Sequence, residues 1–285
     1  MLVRMWIGSG LIASGIQSLE DTAEQFLAQL TRKSFFDLKS KSSALKQESY
    51  VMHDLMHELA KNVSIGECAK IDDPVQLKDE KDTLRHLCIV NIHSFSADAI
   101  NNFFHFKNMR TIIIHSSHEV ENDVVCALEM IVESSKSLRL FHSNLRNTFR
   151  VADKFGDLKH LRYIYLHQIS PGTIRGVAKF YHLMVLRCGF GGLETETYEV
   201  RYLGNLEHLR YVSYGVHGFG NFPISRLTFL QELHDYRVGG KMCTQISAVG
   251  SLQDLRELDV PGLENVESSE EAKNAKLKYK QHLNN

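Results

Sequence analysis

Apolar residues follow two different periods along this chain. Over the first 66 residues the spacing is helical. Leu2 to Ile7 reads as the end of a helix stopped by Gly8 and Gly10. Ser18-Leu-Glu-Asp21 has the form of a capping start, in which the serine hydroxyl takes an orphan backbone N–H and the acids suit the positive helix end. Ala23, Phe26, Leu27 and Leu30 then follow at i, i+3, i+4 and i+7, one apolar face. Phe35 and Phe36 lead into a short strand, Lys39 to Ser49 is polar and turn-like, and Tyr50 to Met52 returns as a second strand. Asp54 to Asn62 predicts a helix with Leu55, Met56, Leu59 and Ala60 turned inward. Residues 67–82 hold one proline and many charges, the composition of a linker or cap.

After Thr83 the period changes. A short L-x-x-L-x-L-like pattern recurs with first positions at Leu84, Met109, Leu138, Leu161, Leu183, Leu209, Leu230 and Leu255. Their separations of 21 to 29 residues fall in the leucine-rich-repeat range of 20–29. Each unit has too little apolar surface to fold alone, so neighbours stack and share one core. The expected fold is therefore α/β: a solenoid of about eight repeats over 83–285, the last incomplete, preceded by a mostly helical, winged-helix-like unit over 1–66. Three of the four prolines (Pro171, Pro223, Pro261) fall after or between the predicted strands, where a missing N–H costs nothing. Glu267 to Leu283 predicts a charged amphipathic helix near the far end.

Composition narrows the function mainly by exclusion. Lys+Arg 33 against Asp+Glu 34 gives a net charge of −1, which offers no reason to invoke nucleic acid or an anionic membrane. No apolar run reaches the 18 residues of a membrane span. Five cysteines, widely spaced and without C-x-x-C, suggest reduced thiols in a cytoplasmic protein. Met1 to Gly15 has the look of a secretory leader, but Gly8-Ser-Gly10 interrupts its apolar run, and the Asn62-Val-Ser64 sequon matters only if the chain is secreted.

His53-Asp-Leu-Met-His57 sets two imidazoles at i, i+4, the spacing of a zinc-protease helix. That chemistry needs glutamate where this chain has Asp54, and no third ligand is placed, so neither an enzyme nor a metal site is expected. No G-x-x-x-x-G-K-[ST] phosphate loop occurs, and G-x-S-x-G is absent. His86, His142 and His234, on separate predicted strands, read as polar surface residues.

Met52-His53-Asp54 entering a helix, followed by irregular leucine repeats, resembles the second half of plant nucleotide-binding, leucine-rich-repeat disease-resistance receptors of the coiled-coil, cereal-like type. The resemblance implies that residues 1–66 are the last part of the nucleotide-binding (NB-ARC) module. It implies also that His53 is the histidine that contacts the β-phosphate of ADP in an intact, inactive receptor. Without a phosphate loop no cofactor is expected for this chain, although ADP and ATP control the intact relatives. Met1 falls inside a helix of that module, as in a gene fragment.

The second candidate site is the outer row of the repeats, where the x positions face solvent. They carry Arg85, Arg110, Arg139, Arg162, Arg210 and Arg256, with Tyr163, Tyr165, Tyr211 and Arg187 in the middle repeats. Arginine and tyrosine are favoured in protein interfaces, so Arg162, Tyr163, Tyr165, Arg187, Arg210 and Tyr211 are the candidate partner-binding residues. The resemblance implies that the partner is a pathogen effector, a guarded host protein or the receptor's own nucleotide-binding module. The alternative, an extracellular leucine-rich-repeat receptor or inhibitor, calls for a regular period, an asparagine in each repeat and paired capping cysteines, which this chain lacks.

Overall fold

The structure is a computed structural model. It describes residues 1–283 apart from 14, 43–46, 80–81, 148–154, 156, 170, 190–197, 215–222, 235 and 240–244. Helices α1 (Leu2–Ser9) and α2 (Leu19–Arg32) come first. Strands β1 (Phe36–Ser42) and β2 (Gln47–Met52) form an antiparallel pair, Phe36 opposite Met52, and α3 (Asp54–Val63) follows. Ser18 Oγ accepts the Asp21 N–H at 3.1 Å, the cap its sequence announces.

Among the described residues nine parallel strands make the second sheet: β3 (Cys68–Ile71), β4 (His86–Ile89), β5 (Thr111–Ile114), β6 (Leu140–Ser143), β7 (Tyr163–Leu166), β8 (Val185–Cys188), β9 (Tyr211–Tyr214), β10 (Glu232–Leu233) and β11 (Glu257–Leu258). They lie side by side in chain order, so each repeat adds one strand to the edge left by the last. All eight predicted first positions are 0% exposed, and each lies two residues before a strand. Between strands the chain returns through α4 (Ala97–Asn101), α5 (Asn122–Ser134), α6 (Pro171–Val177) and several 3₁₀ turns. Val124, Leu128, Ile131 and Val132 of α5 join the shared core beneath the sheet. The segment expected as a linker or cap supplies β3, the edge strand, bonded to β4. Among the described residues no helix is long and apolar enough to cross a membrane.

Four sequence expectations are corrected: α1 runs through Gly8 and stops at Gly10, β1 and β2 extend into the stretch expected as a turn, and two helices differ from their expected form. Leu55 and Leu59 of α3 are 69% and 53% exposed, and no residue of that helix is buried, because no described element covers its apolar face. The helix expected over Glu267–Leu283 is only α7 (Ser269–Asn274), followed by a 3₁₀ turn at Leu277–Tyr279. It ends early because the chain reverses to bury Ala275 and Lys280, with Lys276 at φ +53°. Lys280 Nζ donates to the Val249 and Leu252 carbonyls at 2.9 and 2.6 Å, tying the terminal segment to the preceding repeat. A side chain at Gly250 would strike the Asn274 carbonyl oxygen at 2.1 Å, so this closure requires glycine there.

Candidate functional site

The register of the parallel sheet builds the site. Thr111, Leu140, Tyr163, Val185, Tyr211, Glu232 and Glu257 occupy one continuous column across seven strands. Their side chains point away from the leucine core, since alternate residues of a strand face opposite sides. The column is apolar in its middle and acidic at its far end. Arg139, Arg162, Arg210 and Arg256 of the adjacent column each precede a strand and project from the same face.

Helices α1 and α2 lie on that face. Ile7, Ile12 and Ala23 are buried with Leu140, Tyr163, Val185 and Tyr211 in one apolar cluster. Tyr163 is 0% exposed, and Gly8 lets α1 lie directly on it: a Cβ at residue 8 would fall 2.6 Å from Tyr163 Cβ. The surface expected to await a partner is thus covered by the chain's own first two helices.

Polar ties surround the apolar patch. Arg210 donates to Glu20 from Nε and Nη2, both at 2.7 Å, and the Tyr211 hydroxyl donates to the same carboxylate at 3.3 Å. Such forked pairs are among the strongest charge-assisted contacts, and burial makes each partner depend on the other. Burial is the largest influence on Arg210 and pulls its pKa down, but Glu20 outweighs it, so the net direction is up. Burial, reinforced by the Glu20 charge, pushes the Tyr211 phenol upward. Arg256 donates to Asp21 at 2.8 Å, to Ser18 Oγ at 3.0 Å and to Gln231 at 2.9 Å, and its hydrogen bond holds the Asp21 carboxyl below the usual range. Arg4 pairs with Glu232 and lies 4.7 Å above the Tyr211 ring. At the other end of α1, Arg139 reaches the Ser9 carbonyl at 3.4 Å, and both Arg139 and Arg162 converge on Gly10. That helix has no basic residue in its last turn, so the repeats supply positive charge to its negative end.

The six candidate residues therefore take different places. Tyr163 and Tyr211 are buried under α1, and Arg210 is fixed by Glu20. Arg162 lines a cleft of about 240 Å³ beside Ile12, Leu19, Met184 and Phe229. Tyr165 stacks on His142 at 4.4 Å, and Arg187 lies 5.7 Å above the Tyr165 ring. Three buried polar atoms in this group, His142 Nδ1, Tyr163 Oη and Arg187 Nε, have no hydrogen-bond partner among the described residues. His53 stands apart from all of them: it is exposed, begins α3 without a side-chain capping bond, and its backbone N–H meets the Phe35 carbonyl at 3.2 Å. Sequence reasoning missed Glu20, Asp21 and Glu232 as the acids that face the arginine column. Acids in the first turn of α2, complementary to that column, were the available signal.

Residues 1–60 match the winged helix domain of disease resistance proteins. The N-terminal unit is thus similar to a disease-resistance winged helix. An Arabidopsis thaliana protein named as disease resistance protein At3g14460 is 26% identical over 187 residues, which are 63% of this chain and 12% of that protein. The chain therefore spans a small part of the length of this curated relative, and the resemblance to plant resistance receptors stands on both matches. Among solved structures, an internalin (inlF) from Listeria monocytogenes str. 4b F2365 aligns with a TM-score of 0.41 and 13% identity, over 79% of this chain and 74% of that one. The helices seated on the repeats, α1 and α2, lie within the segment that matches this winged helix domain.

Proposed function

We propose that this chain is part of a plant innate immune receptor in which a leucine-rich-repeat solenoid holds the winged-helix domain at rest and recognises a protein on the same face. The observation that carries this reading is the seating of α1 and α2 on the arginine and tyrosine columns through Glu20–Arg210, Asp21–Arg256 and Arg4–Glu232. One surface then has two uses. A pathogen-derived or guarded host protein that binds there competes with the helices, and its differential affinity shifts the equilibrium between closed and open forms. The chain-order parallel sheet supports the solenoid, and the buried Cys188 thiol, free among the described residues, supports a reducing, cytoplasmic setting. The chain acts as a recognition and restraint unit, not an enzyme, and uses no cofactor of its own. ADP and ATP switching, with His53 as the phosphate contact, belongs to the intact receptor.

Hydrogen exchange on the full chain tests the restraint. Glu20→Arg should raise exchange in α1 and α2 at least tenfold while β4 to β8 stay protected, and adding Arg210→Glu should restore much of the loss. Unchanged protection in Glu20→Arg would remove the restraint from the proposal.

A further inference from the structure

Glu232, His234 and Glu257 do more than close the end of the docked face. We propose that they form a binding site for one zinc-class divalent ion at the β10–β11 edge of the sheet. Glu232 and Glu257 pair directly across β10 and β11, which sets their carboxylates side by side. His234, two residues beyond Glu232, returns to the same face. Its Nε2 lies 3.7 Å from Oε2 of each glutamate, and the three donor atoms all fall within 4.8 Å of one another. A tetrahedral ion with bonds of about 2.0–2.1 Å holds its donors roughly 3.4 Å apart, so modest side-chain rotations complete the geometry.

The donor chemistry narrows the ion. One imidazole nitrogen with two carboxylates is a borderline set that suits zinc better than magnesium or calcium, which favour all-oxygen shells. Three protein donors leave a fourth position for water. His234 and Glu257 are about half exposed, at 48% and 46% of their side chains, which gives an ion direct entry. Among the described residues no other group of three donors is gathered in this way. The ring pairs His93–His118 and His182–His208 show that close imidazoles occur elsewhere, but neither pair brings a carboxylate into such a trio.

The site also touches the docked helix. Arg4 Nη2 contacts both oxygens of Glu232. An ion on Oε2 leaves only Oε1 to Arg4, so the ion and the guanidinium compete for one carboxylate.

Titration of the untagged full chain with zinc chloride, followed by calorimetry and by competition with a chromophoric chelator, tests the site. One ion per chain should bind at micromolar concentration or tighter, and magnesium should not compete. His234→Ala and Glu257→Gln should each weaken binding at least about tenfold, with circular dichroism unchanged. Arg4→Gln keeps all three donors and should bind zinc at least as tightly as the parent, as should His53→Ala. The proposal is overturned by absence of saturable binding, by equal binding in the parent and both donor variants, or by loss of binding in Arg4→Gln.

Discussion

Gly8 packs against the Tyr163 side chain: a Cβ at residue 8 would fall 2.6 Å from Tyr163 Cβ. This contact sets how closely α1 approaches the sheet, and with it the reach of Arg4 and Glu20 to their partners on β10 and beside β9.

Gly8→Val should therefore lift α1 off the sheet. Overpacking costs typically 1–3 kcal/mol, more than the roughly 0.5 kcal/mol gained when glycine leaves a helix interior. A destabilisation of about 2 kcal/mol in urea unfolding is expected, with raised exchange confined to α1 and α2. Parent-like stability would mean that Tyr163 moves aside freely.

Arg210→Met should be the costlier change. It leaves the Glu20 carboxylate, 1% exposed, without its forked partner, and breaking a buried pair in this way costs about 3–5 kcal/mol. Replacing both residues, Glu20→Leu with Arg210→Met, should recover most of that loss, because paired apolar groups need no compensation. A double-mutant cycle in chemical denaturation measures the coupling. Additive single changes would show that the pair is not a unit.

Acid should weaken the fold before the carboxylates titrate. Burial, helped by the charges of His115 and Arg187, pulls the His142 pKa down to about 4. Its folded value lies below the unfolded value of about 6.5, so the imidazole is neutral in the fold. The contribution is complete above pH 6.5 and is lost as pH falls from 6.5 towards 4. Loss of order 3 kcal/mol is expected across that window. His86 and His115 are also lowered by burial and act in the same direction, so the measure is the difference between parent and His142→Phe, whose slope should be shallower. Asp21, held low by its hydrogen bond from Arg256, contributes stability that is complete above the ordinary carboxylate range and is lost only at lower pH, as its carboxylate takes up a proton. Identical pH profiles for parent and variant would refute the assignment to His142.

Calorimetry with ADP or ATP should show no saturable binding by this chain. The motivating observation is that His53 is an exposed residue with no phosphate loop to act beside it. Micromolar binding of either nucleotide would defeat this expectation.

The repeats were legible from the sequence because their signal is local. Leu84 through Leu255 keep phase with strands only four or two residues long, and every first position enters the core. The Ser18 cap was legible for the same reason: donor and acceptor are three residues apart. What the sequence hid is long-range. Glu20 and Arg210 are 190 residues apart, and Arg4 and Glu232 are 228 apart, beyond anything periodicity reports. The x positions face away from the leucine core, but Tyr163 and Tyr211 do not face solvent as expected, because a face turned from one core can still be covered by another element. In α3 the error ran the other way, since an amphipathic pattern shows that a helix has an apolar face and not that this chain supplies its cover. The trio at Glu232, His234 and Glu257 was missed because it assembles only through the pairing of β10 with β11.

The docking of two short helices across the sheet also counts repeats. Ser9 meets Arg139 before β6, Glu20 meets Arg210 before β9, Arg4 meets Glu232 on β10, and Asp21 meets Arg256 before β11. Strands in a sheet are spaced about 4.8 Å apart. Gain or loss of a single repeat between β6 and β11 would move the distal arginines and Glu232 by one such step, while the helices that grip them keep their length. The two docked helices thus act as a gauge: their contacts fit only the present number of strands between β6 and β11, and they set no such condition on the repeats outside that interval.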